Sequence, residues 1–255
     1  MITNAERLFT KEADIARAVA AKGIEGVFSI AVPASDNLRV CCIDEGTEVG
    51  PLRLAGCGIL LGKTREESLE RAAEIVKAMG ARELSWHKGC GAVAVYLKAH
   101  PEIEGSIDEV AERFVRELAL KVNLPYYEQP LVRPASLHIA RAVYYDGTGK
   151  FVLPERWPTG FGVSRRFLNG DAIKEAVMAT EIAFGEHGFG GLFTSDQPFL
   201  LIAVGDDHDL RLSAKQLSLE LAPIAAQYGD RVKVLSFTPR YERGGERVIL
   251  DEAAG

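Results

Sequence analysis

Two short stretches carry the residue types from which metal sites are built, Cys41-Cys42-Ile43-Asp44-Glu45-Gly46 and Trp86-His87-Lys88-Gly89-Cys90-Gly91. Together they offer thiolates, an imidazole and a carboxylate. Zinc, a borderline-soft cation, takes such ligands three or four at a time in tetrahedral geometry. On a strand alternate side chains share a face, so Cys42 and Asp44 point to one side and Cys41 to the other. That selects Cys42 as a ligand and leaves Cys41 as a small core residue. Two residues separate His87 from Cys90, and Gly89 between them lets the backbone fold so that both point at one centre. The fourth position decides the chemistry. Water there makes a catalytic site, because the metal lowers the water's pKa towards neutrality; a protein group there makes a structural one. Asp44 could ligate or accept a hydrogen bond from the water, and Cys57 could close the shell as Cys₃His.

The elements that must position these residues alternate between helix and strand. Leu8, Phe9, Ile15, Ala16, Val19 and Ala20 recur at helical spacing over residues 5–22, with Gly23 as the stop. Strand-like runs follow at 26–32 and 38–43, the second leading into Cys42. The apolar, glycine-punctuated run 52–61 precedes a helix through Lys77, opened by Thr64 with Glu67 three residues on. Glu83 to Trp86 is the strand that delivers His87 and Cys90, residues 91–98 begin a helix, and Ser106-x-x-Glu109 caps another through Val122. Leu137 to Tyr145 reads as a strand, and Asp146-Gly147-Thr148-Gly149-Lys150 as a hairpin turn leading to Phe151-Val152-Leu153. Beyond Pro154–Gly160 come a helix (171–187), a strand (199–204), a helix (213–228) and a strand (232–237). The expected fold is therefore α/β, a mostly parallel sheet flanked by helices with a second, smaller α/β unit, divided as 1–153 and 154–255. Phe199 to Val204 with Asp209-Leu210-Arg211 echoes Phe28 to Val32 with Asn37-Leu38-Arg39, as a decayed duplication would.

Composition narrows the function classes. At 255 residues, 47% hydrophobic and 26% charged, the chain can bury a full core, and a net charge of −6 speaks against nucleic acid as a partner. No window is long and apolar enough to span a bilayer, and the first residues lack a secretory pattern, so a cytoplasmic protein is expected. All four cysteines (Cys41, Cys42, Cys57, Cys90) lie in the first 90 residues, which in a reducing compartment suggests metal ligation over disulfides. His138 reads as a core or pocket residue in a strand, and His100, His187 and His208 as loop or surface residues.

Cys42-x-Asp44 followed by His87-x-x-Cys90-Gly91 resembles the β-class carbonic anhydrases, whose zinc is held by a Cys, His, Cys set with an Asp two residues after the first Cys. Arg53-Leu54-Ala55-Gly56 stands where that family has Arg-Asn-Ala-Gly, and Tyr145-Asp146-Gly147-Thr148-Gly149-Lys150 is similar to its late strand end. The resemblance spans roughly residues 25–153. It implies zinc on Cys42, His87 and Cys90 at the ends of parallel strands, Asp44 as the group that orients the attacking hydroxide, and reversible hydration of carbon dioxide to bicarbonate. It also implies a homodimer, or a pseudo-dimer in which residues 154–255 take the partner's role. Ile43, Val49, Leu54 and Val93 would wall a small apolar pocket. The family's Arg, which pairs with the Asp and holds it off the metal, is here Gly46; Arg53 or Arg39 could supply the guanidinium. The rival expectations are a zinc-binding relative without turnover, serving as an assembly module, and hydrolysis of carbonyl sulfide or carbon disulfide.

Overall fold

The opening segment is two helices rather than one, α1 (Asn4–Lys11) and α2 (Ala13–Lys22). Glu12 interrupts them, and its carboxylate accepts hydrogen bonds from the backbone and hydroxyl of Thr159 far along the chain. The computed structural model describes residues 4–33, 38–47, 52–133 and 137–242. The strand expected over 26–32 shrinks to β1 (Ala31–Pro33), because Phe28 stacks on Trp157 with ring centroids 5.3 Å apart instead of entering a sheet.

Then follow β2 (Arg39–Cys41), β3 (Leu52–Arg53), a tight turn over Ala55–Gly58, α3 (Arg65–Ala78) and β4 (Glu83–Trp86). Thr64 caps α3 by accepting from the Glu67 amide at 3.2 Å, as its sequence predicts. Next come α4 (Gly91–Ala99), α5 (Ile107–Val122) and β5 (Tyr126–Glu128). The Ser106/Glu109 capping box at the head of α5 is formed in both directions. The remaining elements are β6 (Ala142–Asp146), β7 (Gly160–Val163), α6 (Arg165–Leu168), α7 (Asp171–Phe184), β8 (Phe199–Val204), α8 (Ala214–Tyr228), β9 (Val232–Phe237) and β10 (Arg240–Glu242).

The fold is α/β, with two four-stranded, all-parallel sheets flanked by helices, ordered β3-β2-β4-β5 and β7-β6-β8-β9; β1 and β10 pair in a parallel ribbon of their own. Every residue of β6 and β8 is buried, as expected of parallel strands covered on both faces. The two sheets share one topology. In each, the first strand is flanked by the second on one side and the third on the other, so that a crevice opens at the carboxyl ends between first and third. In the first sheet this crevice lies between β2 and β4, the strands that lead to Cys42 and to His87 and Cys90.

Three expectations need correction. Residues 142–146 belong to the second sheet, hydrogen-bonded between β7 and β8, so the division 1–153 and 154–255 cuts through that sheet. No hairpin follows them, because β6 and β7 run parallel and the intervening chain is a crossover. The sequence echo falls on non-equivalent elements: β8 is an inner strand occupying the place that β4 holds in the first sheet, whereas β1 pairs with β10. Parallel pairing joins segments far apart in sequence, and an apolar run does not encode its partner.

The sheets meet edge to edge. The Gly162 amide donates to the Ile43 carbonyl at 3.1 Å and the Arg53 amide to Ser164 Oγ at 2.7 Å. One continuous core includes Leu54, Ala55 and Cys57 from the first unit and Val143, Phe161 and Ala172 from the second. Among the described residues no helix is long and apolar enough to cross a membrane.

Candidate metal centre

Cys42 stands one residue beyond β2, His87 one beyond β4, and Cys90 at the start of α4. The structure brings the three together, with their ligand atoms all within 4.8 Å of one another and each residue buried. The two sulfurs lie 3.8 Å apart. His87 Nδ1 sits 2.9 Å from the Lys88 carbonyl, which makes Nδ1 the protonated nitrogen and leaves Nε2 as the donor atom. Nε2 is buried with no hydrogen-bond partner. A buried imidazole nitrogen left unsatisfied beside two thiols fits a soft or borderline divalent cation. Gly89 between His87 and Cys90 has φ of 63°, a left-handed turn that glycine adopts at no steric cost.

Among the protein groups alone, proton sharing with Cys90 holds the Cys42 thiol well below its usual range. The same contact, added to burial, raises Cys90. Burial opposes a charge on His87, yet the Cys42 sulfur beside it outweighs burial and lifts the imidazole to about 9. The cluster thus holds protons that a cation would displace on binding, so metal uptake depends on pH. Cys42 Sγ also accepts the Gly56 amide at 3.3 Å. That amide is aimed by the turn over Ala55–Gly58, where Gly56, Cys57 and Gly58 all have positive φ. Cys57 donates to the Ser85 carbonyl at 3.1 Å and lies outside the three-ligand group. Cys41 faces away, towards the Leu52 carbonyl.

The carboxylate of Asp44 is gripped by Arg133. Its Oδ1 accepts Arg133 Nε at 2.8 Å and its Oδ2 accepts Nη2 at 2.5 Å, a buried fork-on-carboxylate pair. The Gly46 amide adds a third bond to Oδ1 at 2.8 Å. Burial works against the charge, but the Arg133 bonds prevail and hold Asp44 at about 2. Arg53, the sequence candidate for this role, is turned instead to the Cys42 carbonyl at 2.9 Å, the Asp44 main-chain carbonyl at 3.4 Å and the Thr47 hydroxyl. Arg39 pairs with Glu83 at 2.8 Å. Gly46 explains the exchange of arginines: a Cβ there would overlap Arg133 Cγ, so the glycine is the space through which Arg133 reaches Asp44. Glu45 and His138 complete the cluster, His138 Nδ1 lying 2.9 Å from Glu45 Oε2 and Arg133 Nε 3.5 Å from Glu45 Oε1.

Apolar side chains wall the triad. Trp86, Val93, Ala111 and Val115 line a cavity of about 10 Å³ beside Cys42, His87 and Cys90, room for about one water-sized sphere. Of the expected walls, Val93 is there; Ile43 and Leu54 are buried in the core, and Val49 lies outside the described residues. A cleft of about 600 Å³ lined by Lys88, Gly89, Gln129, Leu131 and Arg133 opens next to the site. Gln129 bonds Ser85 through Oε1 at 2.8 Å, while its buried Nε2 has no partner.

No protein-family model matches the chain, and a search of curated proteins finds no significant match. Sequence comparison names no family. The geometry stands alone. Sequence reasoning placed Cys42, His87, Cys90 and Asp44 and missed Arg133, Glu45 and Gln129; only for Arg133 was there a legible signal, Gly46, where a side chain would have closed the space.

Proposed function

We propose that this chain is a zinc protein related to the β-class carbonic anhydrases and that it catalyses reversible hydration of carbon dioxide. The observation that carries the reading is the Asp44–Arg133 pair beside a three-ligand cluster. Arg133 commits the carboxylate elsewhere, so the Cys42, His87, Cys90 group keeps three protein ligands, the number typical of catalytic rather than structural zinc. Such an ion supplies Lewis acidity that brings water's pKa near neutrality.

The protein's part is to orient and to exclude. Asp44, kept ionised by Arg133, has acceptor capacity left on Oδ2 for a water proton next to the cluster. His87 is fixed in one tautomer by the Lys88 carbonyl. Val93, Ala111 and Val115 keep the immediate surroundings apolar, which suits an uncharged linear substrate, while the unpartnered Gln129 amide offers a donor to a bicarbonate product. The net conversion is carbon dioxide plus water to bicarbonate plus a proton.

Stopped-flow hydration with metal content measured on the same samples tests the reading. Wild type should carry one zinc and turn over, Cys90→Ser should lose the metal, and Asp44→Ala should keep the metal and lose most of the rate. Stoichiometric zinc with no hydration at neutral or alkaline pH overturns it.

A further inference from the structure

Helix α7 belongs to the second sheet unit, yet it flanks the metal ligands of the first. Its inner face is built from small residues, with Ala172, Ala176, Ala179 and Ala183 all buried, which lets it pack closely. Among these alanines sits a buried glutamate, Glu175. Its Oε1 accepts the Ala55 amide at 2.9 Å, and its Oε2 is buried without a partner. A carboxyl so poorly satisfied is costly in a core and needs a reason beyond packing. About two turns further along α7, Ile182 lies beside the start of α4, its Cδ1 3.8 Å from where a Cβ on Gly91 would be, next to Cys90.

We propose that Glu175 is a positioning residue for the Cys42 thiolate, acting across the two units through the turn over Ala55–Gly58. The proposal rests on the metal-site reading but not on any particular reaction. Glu175 holds the Ala55 amide, Ala55 opens the turn, and the next amide, that of Gly56, donates to Cys42 Sγ at 3.3 Å. With Gly56 at φ 52° and Cys57 at φ 56°, the turn depends on outside support to stay in a left-handed course. An N–H bond to a ligating sulfur draws electron density from it and fixes its direction, as outer-shell partners do at metal sites generally. The second unit therefore contributes to the metal's electronic environment without supplying a ligand.

Cobalt(II) substitution reads this directly, because the sulfur-to-cobalt charge-transfer band moves to lower energy when the thiolate becomes more electron-rich. Glu175→Leu removes the acceptor, and Ala55→Pro removes the amide from the other side; Leu54 is already extended (φ −138°, ψ 130°), as a residue before proline must be. Both should red-shift the band and weaken cobalt and zinc affinity by about 10–100-fold, the usual effect of losing an outer-shell partner. Glu175→Gln keeps an acceptor oxygen and should restore the band and an affinity close to wild type. Should Glu175→Leu fail to fold, Ala55→Pro against Glu175→Gln decides. Folded variants with the wild-type band and affinity overturn the positioning role, as does a glutamine variant that behaves like leucine. A wild-type chain that takes up no cobalt is a different result: it removes the metal reading itself, and this proposal with it.

Discussion

The pair most open to test by substitution is Asp44 with Arg133. Both side chains are almost wholly buried, 4% and 1% exposed, so removing one partner leaves the other desolvated and uncompensated, a loss of about 3–5 kcal/mol. Arg133→Ala should show that loss in denaturant unfolding. Gly46→Ala should cost about 1–3 kcal/mol by overpacking against Arg133. In the Arg133→Ala background, where Cγ is gone, the same Gly46 substitution should cost far less, and the coupling measured by the double-mutant cycle is the signature of that shared space. Equal costs in both backgrounds would refute it. Cys42, His87, Cys90 and Asp44 were legible because residue type and short spacing identify them. Arg133 was not, since the 89 positions that separate it from Asp44 along the chain are closed only by folding.

Helices impose their own tests. Helix α5 carries Ala111 and Val115 against the triad and opens with the Ser106/Glu109 box; Ser106→Ala should lower stability by about 1 kcal/mol without changing metal stoichiometry. Glu175 on α7 makes stability depend on pH. Burial pushes its carboxyl up from 4.5 to about 8. A raised acid contributes its stabilisation fully below the unfolded value, and that contribution is lost as pH rises through the folded one. Unfolding free energy of wild type should therefore decline across pH 5 to about 8 relative to Glu175→Gln, which has no such titration. Parallel curves for the two proteins would count against a protonated Glu175. The strand at 26–32 was misread because local apolar pattern reports burial, and Phe28 is satisfied by Trp157 rather than by strand pairing; the hairpin turn at 146–150 was misread because turn residues do not say whether the next strand returns beside the first or crosses over to pair parallel to it.

Across the whole molecule, the two sheets repeat one strand order and share one core. Phe161 lies at their junction, fully buried and on the strand that bonds to Ile43 through Gly162. Phe161→Ala should cost about 3–5 kcal/mol. Because the core is continuous, unfolding followed by circular dichroism and by metal release should coincide in wild type and variant alike, as one cooperative transition. Release of metal well before loss of secondary structure would show that the units come apart separately.

Sequence alone determined which groups could meet a metal. Alternation on a strand separates Cys42 and Asp44 from Cys41, and a glycine turn converges His87 and Cys90; these are short-range facts of backbone geometry. It also determined the capped helices α3 and α5, whose signals lie within four residues of each helix's start. Only the tertiary structure decided that Arg133 and not Arg53 holds Asp44, that β6 pairs in the second sheet, and that Glu175 braces the turn behind Cys42. Each of those joins residues tens of positions apart, where the partner is chosen by packing and by the need to satisfy buried polar groups, neither of which is written in any local stretch of chain.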